Sequence, residues 1–109
     1  MSKRALEIIS DGENTLFFSA ASAWEMVINA TLGKLSVPDD LEAFIMEQLT
    51  QNGITPLSVR LSHALRVYNI PAYHRDPFDR LLIAQAQVEN FPILTGDPAI
   101  MQYPVEVIW

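Results

Sequence analysis

His74-Arg75-Asp76-Pro77-Phe78-Asp79-Arg80-Leu81-Leu82-Ile83-Ala84-Gln85-Ala86 is the stretch on which the fold of this chain turns. Asp76 reads as a helix N-cap, Pro77 as the first helical residue, and Asp79 as an acid at the third position, near the positive end of the helix dipole. The pattern predicts a helix over Pro77–Glu89. Advancing about 100° per residue places Asp79 among Leu82, Ile83 and Ala86 on the apolar face, with Arg80 and Gln87 pointing elsewhere. An inward carboxylate needs a partner, because burying an unpaired charge is costly. The basic residues Lys34, Arg60, Arg66, Arg75 and Arg80 are scattered, and none sits one turn away on the same face.

Outward from this helix, strands and helices alternate. Downstream, residues 92–95 read as a buried strand, 97–102 as one helical turn or two, and 105–109 as a final strand. Upstream, residues 70–75 form an ordered loop and 61–69 a helix, while Pro56 demotes 54–59 to a short or edge strand. Pro38-Asp39-Asp40 is expected to open a helix that runs to about Gln51 and ends at Asn52-Gly53. Residues 20–32 read as a helix closed by Gly33, and 15–19 as a strand covered on both faces. A short helix, Lys3–Ser10, exits through Asp11-Gly12-Glu13-Asn14. This alternation predicts an α/β chain with a mostly parallel sheet and helices on both faces. Ligands of such sheets bind beyond the carboxyl ends of the strands.

The chain has 109 residues, half of them apolar, which suits one domain over residues 1–109 with a single core. With no cysteine, disulfides, thiolate metal clusters and thiol catalysis are excluded, and a cytoplasmic location is expected. The N-terminal Met1-Ser2-Lys3-Arg4 has no apolar run behind it, and no stretch approaches the roughly 20 apolar residues of a membrane span. Seven basic against thirteen acidic residues give a net charge of −6. That balance argues against nucleic-acid binding through a basic surface. A divalent cation held by carboxylates would supply the missing positive charge.

Three carboxylates fall near the expected ligand edge, Glu25, Asp79 and Asp97, with Asp76 as a fourth. Each also has a structural explanation. Ser22-Ala23-Trp24-Glu25 has capping-box spacing, Asp76 is an N-cap, and Thr95-Gly96-Asp97-Pro98 repeats the N-cap pattern. Taken together, inward acids and too few partners point to a shared cation. Magnesium and manganese take oxygen ligands and keep several waters, so two to four acids suffice. Such ions activate water and stabilise charge on a phosphodiester, which makes metal-assisted phosphodiester hydrolysis the reaction this set best supports.

The residues that carry these acids also resemble a known family. Ser19-Ala20-Ala21-Ser22-Ala23-Trp24-Glu25-Met26 with Leu32-Gly33-Lys34-Leu35 resembles the second-helix region of VapC-type PIN-domain toxins of type II toxin–antitoxin systems. The stretch from His74 to Ala86 resembles that family's third acidic motif, and Leu94-Thr95-Gly96-Asp97 its fourth. The resemblance implies a three-layer α/β/α fold and a divalent-metal-dependent endoribonuclease, with Glu25, Asp79 and Asp97 ligating Mg2+ or Mn2+. Asp76, Ser19, Ser22 and Thr95 would orient ligands or waters from behind them. The partners it implies are an RNA substrate, an antitoxin whose tail covers the groove, and a second copy of the chain.

Two departures from the pattern stand out. Family members begin with a central strand bearing an aspartate in a Leu-Asp-Thr-His-like context, which nothing before Ser2 supplies. The expectation is therefore a PIN-like domain truncated at its N-terminus, short of one ligand, impaired in activity and left with unpaired strand edges. Asn29 also stands where related sequences often have lysine. The alternative to an endoribonuclease is a catalytically silent module that binds an antitoxin or itself. A small-molecule-binding α/β protein fits less well, since four single glycines make no phosphate loop such as nucleotide binders have. His63 and His74 lack metal-ligand spacing and read as structural, Trp24 and Trp109 as core or interface aromatics, and Asp39, Asp40, Glu42 and Glu47 as a solvated helix face.

Overall fold

The computed structural model describes residues 2–109, which fall into two compact units. The first unit to be completed along the chain is Thr15–Ser58. It holds β1 (Leu16–Ser19), α2 (Ala20–Thr31), α3 (Leu41–Gln51) and β2 (Ile54–Leu57), where α1 is the preceding helix Lys3–Ser10. The strands pair in parallel, Leu16 with Ile54 through Ser19 with Leu57. Parallel neighbours need a long crossover, and α2 and α3 supply it. Pro56 pairs opposite Phe18 in this two-stranded ladder, as its missing N–H requires of a strand with an open edge.

Local chemistry sets the helix limits here. Ser19 Oγ accepts from Ala21 N at 3.1 Å, so Ser19 caps α2 and the expected capping box at Ser22 and Glu25 does not form. Both of those residues lie inside the helix instead. Gly33 closes it at φ +74°. Asp40 Oδ1 accepts from Ala43 N and starts α3 at Leu41, so Pro38 stands outside the helix it was expected to open. β1 is not covered on both faces: Phe17 is exposed while Ser19 is buried. Trp24 is exposed on α2 rather than in a core.

The other unit comprises Val59–Trp109 with the N-terminal segment through Asn14. Its elements are α1, α4 (Leu61–Arg66), a 3-10 turn (Val67–Asn69), α5 (Pro77–Glu89), β3 (Ile93–Leu94), α6 (Pro98–Met101) and β4 (Val107–Ile108). Ile83, Ala84, Ile70, Ile100 and Tyr103 form its core, with Val67, Ile93, Val105 and Val107 packed against them. The helix expected through Asn69 tightens at Val67 because Ile70 precedes Pro71 and must be extended, at φ −86° and ψ 132°. Asn90, in the left-handed region at φ 58°, ends α5.

β3 and β4 also pair in parallel, Ile93 with Val107 and Leu94 with Ile108. Both are shorter than the expected runs. Pro92 has no N–H to give, and Val105 N donates locally to Tyr103 O at 2.8 Å, so neither residue enters the ladder. Leu94 is partly exposed, which corrects the buried-strand expectation. The parallel pairing expected of an α/β chain holds in both ladders. Among the described residues no helix is long and apolar enough to cross a membrane.

Candidate metal centre

Four of the candidate residues lie in the unit built around α5, and Asp76 does what its place before Pro77 predicts. Its Oδ1 accepts from Phe78 N at 2.9 Å and Asp79 N at 3.1 Å, fixing the first turn of α5. That turn aims Asp79 inward, its side chain 20% exposed. No Lys or Arg side chain is paired with Asp79 among the described ion pairs, but a histidine meets it. His74, five residues earlier, folds back so that its Nε2 lies 3.2 Å from Asp79 Oδ2. A search at helical spacing misses it because His74 belongs to the loop before the N-cap, where spacing follows the path of the loop and not 3.6 residues per turn. The available signal was the histidine just ahead of an Asp-Pro-Phe-Asp helix start.

His74 is itself held by Tyr103, whose hydroxyl accepts from His74 N at 3.1 Å and lies 2.6 Å from His74 Nδ1. The two rings tilt together at 5.3 Å between centroids. The buried Tyr103 hydroxyl thus meets both the backbone and the ring of His74. Its other ring nitrogen faces the Asp79 carboxylate, whose charged form that hydrogen bond favours. Reading His74 as structural is consistent with these bonds.

Burial pushes the Asp79 carboxyl above its ordinary value, and the negative charges of Asp76 and Asp97 push the same way, while the hydrogen bond and charge of His74 pull it back. Asp97 thus lies within electrostatic reach of Asp79. It is exposed and caps α6, its Oδ1 accepting from Ala99 N at 2.9 Å. Thr95 Oγ1 in turn accepts from Asp97 N at 3.1 Å and shapes the turn that carries Asp97. Gly96 between them is pressed against Trp109: a Cβ there would fall 2.6 Å from the indole.

Glu25, Ser19 and Ser22 belong to the other unit. Ser22 and Glu25 are half-buried and three residues apart on one side of α2, and buried Ser19 is that helix's N-cap. Among the described residues, no group of three or more His, Cys, Asp or Glu side chains is placed to hold a metal. Asp76 and Asp97 act on Asp79 through their charges without the three forming such a group, and Glu25 lies in the second unit. The donors are all carboxylate oxygens, and burial with the charges of Asp76 and Asp97 raises the Asp79 carboxyl above its ordinary value. Such a set fits a hard divalent cation, whose charge would offset both effects.

A second polar cluster sits at the far end of α5. Arg60 N donates to His63 Nδ1 at 3.0 Å, and His63 Nε2 meets Glu89 Oε1 at 2.8 Å. Arg60 Nη1 approaches the same oxygen at 3.5 Å. With His63 fully buried this is a structural tie between α4 and α5, in line with the reading of His63 as structural.

The PIN domain family matches residues 1–105, and this α/β chain with its parallel ladders belongs to it. Membership carries the three-layer α/β/α fold class expected from sequence. Over 56 residues the chain is 41% identical to Ribonuclease VapC16 of Mycobacterium tuberculosis (strain ATCC 25618 / H37Rv). That similarity spans 51% of this chain and 40% of the relative.

Proposed function

We propose that the protein is a VapC-like endoribonuclease that uses Mg2+ or Mn2+ held by Glu25, Asp79 and Asp97. The observation that carries this reading is the state of Asp79: a carboxylate on the motif helix of a PIN domain, partly buried and crowded by Asp76 and Asp97. Similarity to a chain named a ribonuclease supports the reaction class. A bound divalent cation supplies a water activated for attack and positive charge facing the phosphodiester.

The chain's own residues do the rest. Asp79 offers its carboxylate from a turn locked by Asp76, and Asp97 from a turn shaped by Thr95. Glu25, with Ser19 and Ser22 behind it, contributes from the start of α2. With thirteen acids against seven bases, the cation and not a basic surface would draw the RNA backbone. An antitoxin and a second copy of the chain are the proposed protein partners. Leu61, Leu65 and Tyr68, exposed in succession along α4 and its following turn, support a surface of that kind. The site of action is the cytoplasm.

The test is cleavage of single-stranded RNA with added Mn2+ by the wild type, Glu25→Gln and Asp79→Asn. Loss of cleavage in both variants is expected, by at least about 100-fold if each ligand supports the metal on which the chemistry depends. Equal rates in all three sink the proposal and leave a binding module.

A further inference from the structure

We propose that His74, held in place by Tyr103, is a positioning residue that fixes which oxygen of Asp79 is offered to the cation. The inference rests on the metal-site reading given above. Three observations carry it. His74 Nε2 lies 3.2 Å from Oδ2 of Asp79, and that oxygen alone of the carboxylate is engaged by it. His74 Nδ1 lies 2.6 Å from the hydroxyl of Tyr103, a residue only 3% exposed and part of the unit's core. The same hydroxyl accepts the backbone N–H of His74 at 3.1 Å, so ring and backbone are clamped by one oxygen.

A carboxylate on a single rotatable bond can present either oxygen, or both, to a metal. A fixed donor on Oδ2 removes that freedom and leaves Oδ1 as the oxygen offered to a cation. Neighbouring hydrogen bonds of this sort orient metal-binding carboxylates, and losing one weakens metal affinity by about 10- to 100-fold. Neither His74 nor Tyr103 touches the cation in this arrangement.

The experiment is Mn2+ binding by the full chain, followed by electron paramagnetic resonance or calorimetry, for the wild type, Asp79→Asn, His74→Phe, His74→Gln and Tyr103→Phe. Circular dichroism reports folding, and 15N shifts report the His74 tautomer. Asp79→Asn is expected to abolish binding. His74→Phe should weaken it by about 10- to 100-fold. His74→Gln, whose amide can donate from near the Nε2 position, should recover part of that loss. Tyr103→Phe should weaken binding and disturb the Nε2–H tautomer together. A folded His74→Phe chain that binds Mn2+ like the wild type, while Asp79→Asn does not, overturns the role of His74 and leaves the metal site standing. Wild-type affinity in Asp79→Asn, or no binding by the wild type, removes the metal site and this role with it. Should His74→Phe fail to fold, Tyr103→Phe decides by the same criterion, and a wild-type His74 found without a proton on Nε2 overturns the inference without any variant.

Discussion

His63 Nε2 sits 2.8 Å from Glu89 Oε1, tying the start of α4 to the last turn of α5. The opposite ring nitrogen accepts from Arg60 N at 3.0 Å, so this one imidazole satisfies a free amide at a helix start and a carboxylate at a helix end. Removing it leaves a buried cavity and an unpaired N–H. His63→Ala should therefore cost about 3 kcal/mol, combining the loss of a buried side chain with an unsatisfied donor. Urea unfolding measures this, and a change below about 1 kcal/mol would mean that the tie is replaceable by water.

The same pair sets a pH dependence. The hydrogen bond from His63 holds the Glu89 carboxyl below its ordinary value, with Arg60 acting in the same direction. A carboxyl whose folded value is depressed gives stability that is complete above the unfolded value of 4.5 and is lost as pH falls through the lowered folded value. Glu89→Gln should flatten the acid limb of a plot of midpoint urea concentration against pH. An unchanged limb would show that this interaction does not contribute there.

Asp79 has the opposite sign. Burial raises its carboxyl above 3.8, so its contribution favours the fold below that value and is lost as pH rises through the raised one. In the metal-free chain at neutral pH, Asp79→Asn should raise the melting temperature, because the amide removes the buried charge and still accepts from His74. The acidic groups around it, Asp76 and Asp97, add to the penalty, and His74 reduces it. A lower melting temperature in the variant would show that His74 outweighs burial. Sites that hold a ligand are often stabilised by losing such a residue.

Capping and metal support can be separated at Asp76. Asparagine caps helices as well as aspartate does, while alanine does not. Asp76→Asn should leave stability within about 0.5 kcal/mol and Asp76→Ala should cost about 1 kcal/mol, as read by thermal unfolding. If Asp76→Asn nonetheless lowers Mn2+ affinity, the charge of Asp76 serves the metal; if affinity is unchanged, its service is confined to the backbone of Asp79.

Gly96 is tight for a different reason. A methyl group there would stand 2.6 Å from the Trp109 ring, so Gly96→Ala must displace either the indole or the turn that carries Asp97. The expected cost is about 1–3 kcal/mol by urea unfolding. In a Trp109→Ala background the same change should cost much less, and equal costs in both backgrounds would rule out the ring as the obstacle.

How much of this was legible in the sequence differs between elements. α5 and its cap followed from Asp76-Pro77 and the apolar spacing of Leu82, Ile83 and Ala86, the last two of them buried, because helix starts are written in adjacent residues and the core face in a fixed period. α1 was legible for the same reason, and so was the edge character of β2, since a proline cannot donate to a ladder. The start of α2 was misread because both Ser19 and Ser22 could cap, and only the backbone path decides which hydroxyl meets a free amide. β3 and β4 were read too long because ladder length depends on a partner distant in sequence.

The sequence by itself determined the class: an α/β chain of the PIN family, with acids at the starts of its helices. Tertiary structure decided the state of those acids. That Asp79 is crowded by Asp76 and Asp97, and that it is met by His74 backed by Tyr103, depends on a loop folding over a helix start and on a residue 29 positions from His74. No local period encodes such a meeting. It exists because packing Tyr103 into the core around Ile83 and Ile100 leaves its hydroxyl facing the loop.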